Sequence, residues 1–259
     1  MKAPIVVAIA ALSLACTAVY PELKTPLRPL VGQQVIDPPP REVRWLSFLG
    51  AEVPPQTRDG RKWDALGGSK PDPYAILFLD GVEVLRTPAE ANTLAPTWRG
   101  APAGNFRIAD GTRLRVELWD HNPMHDHPIG VKELSNPDEY LDDDGALLLE
   151  TDSGAHVRLS FGAAHGFYGL GFVYELRTTE PFVTSVFGES PAAKAGLKRG
   201  DELVAVGGKP TKGMSASELQ SVLNTPHKDG LAVSVRHADK SRVDLVLRDG
   251  AVYPLRTEQ

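Results

Sequence analysis

This 259-residue chain has one cysteine, Cys16. A single thiol allows no internal disulfide and no zinc site built on several cysteines. Positive charge is not in excess either: 28 Lys+Arg stand against 33 Asp+Glu, for a formal net charge of −5. A nucleic-acid partner would need a basic domain or stripe, so none is expected. Long apolar runs are missing too. Residues 5–15 form an uncharged, almost wholly apolar segment, well short of the ~20 residues a spanning helix needs. Neither Gly-x-Ser-x-Gly nor His-Glu-x-x-His occurs, which removes the usual sequence marks of a serine-hydrolase elbow and a zinc-protease helix. What is present is ordinary: 42% hydrophobic and 24% charged residues are enough apolar and polar material for folded domains rather than a disordered chain.

The amino-terminal run has the length of a signal-peptide core, with Lys2 before it and Ser13-Leu14-Ala15 leading into Cys16. It resembles a bacterial lipoprotein signal, with Ser13 where the family more often has Leu. The resemblance implies removal of residues 1–15 and acylation of Cys16, which would also mask a reactive thiol. Thr17 rather than aspartate after Cys16 leans towards the outer membrane over the inner. Residues 16–40 follow as a tether. Six of the 22 prolines fall between 20 and 40, and proline favours extended, semi-rigid chain.

Residues 41–163 read as an all-β domain. Period-2 alternation predicts half-buried strands at 43–48, 74–79, 113–119 and 156–161, separated by Gly, Pro, Asn and Asp clusters. Several motifs then occur in order: Asp72-Pro73-Tyr74; Asn92-Thr93-Leu94-Ala95-Pro96-Thr97-Trp98; Val116-Glu117-Leu118-Trp119-Asp120; and Ile129-Gly130. Together they resemble a C2 domain. The resemblance implies an eight-stranded antiparallel sandwich whose loops at one end bind calcium, often against phospholipid. By position the Ca2+ ligands would be Asp64 and Asp72 from one loop, and Asp120, Asn122 and Asp126 from another. Calcium takes 6–8 oxygens, so two loops would have to converge. Asn122 replaces a usual aspartate and the Asp64–Asp72 gap is long, so weak affinity is expected. A C2 fold that has lost calcium, with these aspartates kept as loop caps, is the competing expectation.

The same loop carries His121, His125 and His127 beside Asp120 and Asp126. Three imidazoles with carboxylates could hold a transition metal that activates water, which makes a metal-dependent hydrolase the alternative function. Residues 121–160 hold nine acidic and two basic groups, a balance that disfavours an anionic lipid surface. Asp142-Asp143-Asp144-Gly145 reads as a turn.

From 164 to 259 the pattern changes. Gly169-Leu170-Gly171-Phe172 is followed by expected strands at 172–176 and 182–187. Next comes Ser190-Pro191-Ala192-Ala193-Lys194-Ala195-Gly196-Leu197, then Gly200-Asp201 and a helix over 215–224 capped by Ser215. This order resembles a PDZ domain, a small β-barrel with two helices, so the whole chain is expected to be mainly β. The first strand is expected to be absent upstream of the Gly loop, with strands near 231–237, 242–247 and 251–255 supplying a permuted replacement. The resemblance implies that Leu170, Gly171 and Phe172 cradle a peptide carboxylate, and that Ala216, Gln220 and Leu223 line the groove. Ala216 stands where many members have histidine, which points to an apolar terminal residue in the ligand. The expected function is a lipid-anchored cell-envelope adaptor with no catalysis of its own. It would bind C-terminal or internal peptide segments of proteins, or serve as an accessory factor to an envelope protease or secretion system.

Overall fold

The computed structural model describes residues 41–63, 70–176, 180–227 and 229–256. Cys16, the signal, the tether and Asp64 lie outside them. The described chain is mainly β and divides into two compact units, one holding 168–250 and the other 41–167 with 251–256.

The first unit is a sandwich of two four-stranded antiparallel sheets. One sheet orders β4 (Ala103–Arg107), β1 (Val43–Glu52), β8 (His156–Ala163) and β7 (Ala146–Glu150). The other orders β3 (Val82–Arg86), β2 (Pro73–Leu79), β5 (Leu114–Asp120) and β6 (His127–Leu134). Alternation decides which faces meet. Leu114, Val116 and Leu118 of β5 are fully buried, while Arg115, Glu117 and Trp119 point the other way. Leu147 and Leu149 of β7 and Val157 and Leu159 of β8 complete the core with Leu46, Phe48 and Leu77. Each fully buried Leu is worth roughly 1.5–3 kcal/mol of transfer free energy. The Asn92–Trp98 motif lies against β1: Ala51 and Val53 N–H donate to the Pro96 and Leu94 carbonyls at 3.1 and 2.7 Å. Gly50 is required there, since a Cβ would sit 2.8 Å from the Pro96 oxygen.

The end of the chain returns to this unit. Asn105 is buried, donates from Nδ2 to the carbonyls of His165 and Pro254 at 2.6 and 2.9 Å, and accepts the His165 N–H at 2.8 Å. Asn105 and Leu255 form a parallel bridge, and Arg256 donates to the Ala103 carbonyl. Thus 251–255, expected as PDZ strand, divides its role. β16 (Gly250–Val252) pairs with β9 (Phe167–Gly169), and the next residues lie along β4. β9 also corrects the expectation that no strand precedes the Gly loop; three residues are too few to show a period.

The second unit orders β10 (Phe172–Leu176), β11 (Pro181–Val186), β12 (Glu202–Val206), β14 (Leu231–Arg236) and β15 (Arg242–Leu247), with β13 (Lys209–Pro210) beside β12. Two helices pack with it, α1 (Pro191–Lys194) and α2 (Ala216–Asn224). α2 begins with a full capping box. Ser215 Oγ accepts the Glu218 N–H at 3.2 Å, and Glu218 accepts the Ser215 N–H at 2.8 Å. Leu219 and Leu223, one turn apart, enter a core with Leu170, Phe172, Val183 and Leu203.

Candidate functional site

The Gly loop between β9 and β10 is set by what its carbonyls do. The Leu170 carbonyl accepts the Ala192 N–H at 2.9 Å. The Gly171 carbonyl accepts two donors, the Phe187 N–H and the Ser190 hydroxyl, each at 3.0 Å. In a planar trans peptide the C=O and N–H point in opposite directions. With both carbonyls directed at α1 and the 187–190 turn, the N–H groups of Gly171 and Phe172 are directed to the other side. Gly171 has φ +84°, which a side chain would penalise. Two of the three expected cradle amides are therefore oriented by identified bonds. Leu170 supplies its tied carbonyl and a buried side chain.

The groove residues separate by depth. Leu223 is buried in the core, Gln220 is half-buried and Ala216 is exposed. They share one face of α2, at spacings of four and three residues. Among the described residues, β10 stands at one end of the sheet order. Ser190, not singled out from sequence, has 0% exposure and bridges the loop to α1, since its Oγ also accepts the Ala193 N–H at 3.2 Å. The sequence signal was present as Ser190-Pro191, a helix start, but nothing local relates it to Gly171.

At one end of the sandwich the structure brings Asp72 and Asp120 together: the Asp72 N–H donates to Asp120 Oδ1 at 2.7 Å. Strand register explains this, because Pro73 opposes Asp120 and His127 opposes it from the other side. Other carboxylate oxygens of the cluster also accept hydrogen bonds. Asp72 Oδ1 accepts the Asn92 N–H at 2.6 Å. Asp126 accepts the Asn122 N–H at 3.0 Å and the Tyr74 hydroxyl at 2.8 Å. The Asn122 N–H, then Tyr74 and His121, hold the Asp126 carboxyl below the usual carboxylate range. Burial, then Asp126, pushes the Tyr74 phenol up.

The three histidines diverge. His121 Nδ1 lies 2.9 Å from Asp126 Oδ1, His125 Nδ1 donates to the Met124 carbonyl at 2.6 Å, and His127 Nδ1 lies 3.3 Å from Asn122 Nδ2. Among the described residues no group of three or more His, Cys, Asp or Glu is placed to hold a metal. Of the expected calcium ligands, Asp72, Asp120, Asn122 and Asp126 fall among the described residues, at this end of the sandwich. The acidic 142–145 segment is a turn, closed by Asp142 accepting the Asp144 and Ala146 N–H groups and paired to Arg158.

A groove of about 1640 Å³ opens on the sandwich between Trp63, Trp119 and Pro128. Four cations line it (Arg58, Arg61, Lys62, Arg115) against five carboxylates (Asp59, Asp72, Glu117, Glu133, Asp152). Arg61 pairs with Asp59 at 2.7 Å and Arg115 with Glu117 at 3.1 Å. That lining is not a polyanion site.

Comparison with known proteins agrees with the residues. A model described as a C2 domain matches 56–147, and one described as a PDZ domain matches 182–236. The carboxy-terminal processing protease CtpA of Bacillus subtilis (strain 168) is 29% identical over 82 residues, 32% of this chain and 18% of that protein. The chain thus spans less than a fifth of that relative. Among solved structures, the PDZ domain of HtrA3 bound to a phage-derived ligand has 22% identity. It covers 36% of this chain and 93% of its own, with a TM-score of 0.28. The paired C2 domains of extended synaptotagmin 2 with calcium bound have 17% identity over 84% of this chain and 85% of theirs, with a TM-score of 0.36. Two unlike β architectures, each with its own core, follow one another here: the protein carries a C2 domain followed by a PDZ domain.

Proposed function

We propose that this protein is a non-catalytic adaptor that captures the C-termini of other proteins through its PDZ groove. The observation that carries the reading is the direction of the Gly171 and Phe172 amides, set by the bonds to the Leu170 and Gly171 carbonyls. Backbone N–H groups aimed at one point are an anion-binding arrangement. A peptide adding alongside β10 would place its carboxylate there and its last side chain against Leu223. The short Ala216 side chain and the apolar Leu223 favour an apolar terminal residue. The C2 domain is read as a second binding unit directed at lipid, and the acidic balance of 121–160 argues against anionic headgroups. Acylation at Cys16 and the proline-rich tether would hold both units at the outer membrane of a bacterial envelope, where envelope protein termini are the ligands within reach.

The test is a library of random hexapeptides displayed with free C-termini, followed by affinities of the best binder as free acid and as amide. Tighter binding of the free acid supports the reading; equal affinity removes it. For the anchor, Cys16→Ser should move the protein from the membrane to the soluble envelope fraction.

A further inference from the structure

We propose that Ser190 is the positioning residue of the carboxylate cradle, its hydroxyl setting the Gly171–Phe172 peptide plane so that the Phe172 N–H meets the ligand. This rests on the PDZ reading above and adds to it a residue outside the Gly loop, 19 positions along the chain.

Ser190 is fully buried, and its Oγ is used twice. It donates to the Gly171 carbonyl at 3.0 Å and accepts the Ala193 N–H at 3.2 Å as the cap of α1. The donation is the part that matters for the ligand. Gly171 is conformationally permissive at φ +84°, so its following peptide plane is not held by side-chain sterics. Its carbonyl is held instead by two donors, the Phe187 N–H and the Ser190 hydroxyl. The hydroxyl also ties that plane to the helix whose Ala192 N–H fixes the preceding plane. Loop and α1 are thereby one unit, and the Gly171 and Phe172 amides leave it on the same side. Without the hydroxyl, the Gly171 carbonyl loses one of its identified donors and the plane is freer to turn, which lowers the share of chains ready to receive a carboxylate.

The two jobs of Ser190 can be separated. Glycine is a tolerable helix cap, within a few tenths of a kcal/mol of serine, but has no hydroxyl to donate. Ser190→Gly in the full chain should therefore still unfold cooperatively, with only a modestly lowered thermal transition. It should lose about tenfold in affinity for the free-acid form of the selected hexapeptide, with the amide form changed less than about twofold. Ser190→Thr, which keeps the donor, should restore discrimination between the two forms. In the wild type, the Phe172 amide resonance should shift on adding the free acid and move less with the amide. Undiminished acid-over-amide discrimination in Ser190→Gly overturns the proposal while leaving the PDZ reading intact. So does a Phe172 amide that responds equally to both forms of a peptide the wild type discriminates. Equal wild-type affinity for acid and amide instead removes the underlying reading. If Ser190→Gly fails to fold, Ser190→Cys, close in shape with a far weaker donor, takes its place: weakened acid-over-amide discrimination supports the proposal and undiminished discrimination overturns it.

Discussion

The two loop systems of this molecule use polar groups in opposite ways. At the end of the sandwich, carboxylates turn onto their own backbone: Asp120 takes the Asp72 N–H, Asp72 the Asn92 N–H, and Asp126 the Asn122 N–H. In the PDZ loop the carbonyls are taken up by Ala192, Phe187 and Ser190, and the amides point to the opposite side of their peptide planes. An acidic loop in sequence thus does not by itself establish a metal site: its carboxylates can also orient backbone N–H groups. A glycine loop whose carbonyls are fixed has its amides oriented as well, which is the basis of the anion site proposed for it.

The sharpest way to break the comparison is on its sandwich side. Asp120 is 1% exposed, so Asp120→Ala should destabilise the sandwich by roughly 1.5–3 kcal/mol, the worth of a buried hydrogen bond to a charged group. The PDZ transition should stay in place. Calorimetry of the full chain, with hydrogen exchange to assign each transition, would show it. On the PDZ side, amidating the peptide should cost about the same 1.5–3 kcal/mol of binding, and Gly171→Val should reproduce that loss from the protein side. Isothermal titration with the selected hexapeptide measures both. Next in size, Asn105→Ala should remove the ties to 165 and 254 at a cost of roughly 1–3 kcal/mol to the sandwich unit, with faster amide exchange at His165.

Acid should separate the regions more gently. The Asp126 carboxyl is held below its ordinary range in the folded state, first by the Asn122 N–H. Its contribution is therefore complete above the unfolded value of about 4 and is lost as pH falls through the lower folded value. Asn122 amide exchange should rise in that window, and Asp126→Asn should flatten the dependence. The smallest expected effect is calcium's. With the aspartates serving as braces, ~10 mM calcium should raise the melting temperature of the sandwich by less than about 1 °C; a millimolar-class site would add roughly 1–2 kcal/mol instead.

Much of this was legible in order and periodicity. The alternation Leu114, Val116, Leu118 marked β5 and its buried face, and Ser215 with Glu218 three residues on marked the start of α2. The motif strings named both domains before any contact was known. Three features were not legible. Tyr74 reaches Asp126 from 52 residues away, Asn105 reaches Pro254 from 149, and Ser190 reaches Gly171 from 19. Each pairs side chain or backbone across elements whose register no local pattern encodes. The carboxylates illustrate this most directly: sequence placed them in two loops and the strand register brought those loops together, but one oxygen of each of Asp72, Asp120 and Asp126 accepts a backbone N–H.

By itself, then, the sequence determined the longer strands, the second helix, the two cores and the glycine at Gly171, because these follow from side-chain period and from backbone sterics within a few residues. The tertiary structure alone decided which way the Gly171–Phe172 amide faces, what the sandwich aspartates hold, and where 253–256 comes to rest. Those are questions of hydrogen-bond partner. A buried polar group must take whichever partner the fold sets within about 3 Å, and that neighbour is chosen by packing rather than by position in the chain.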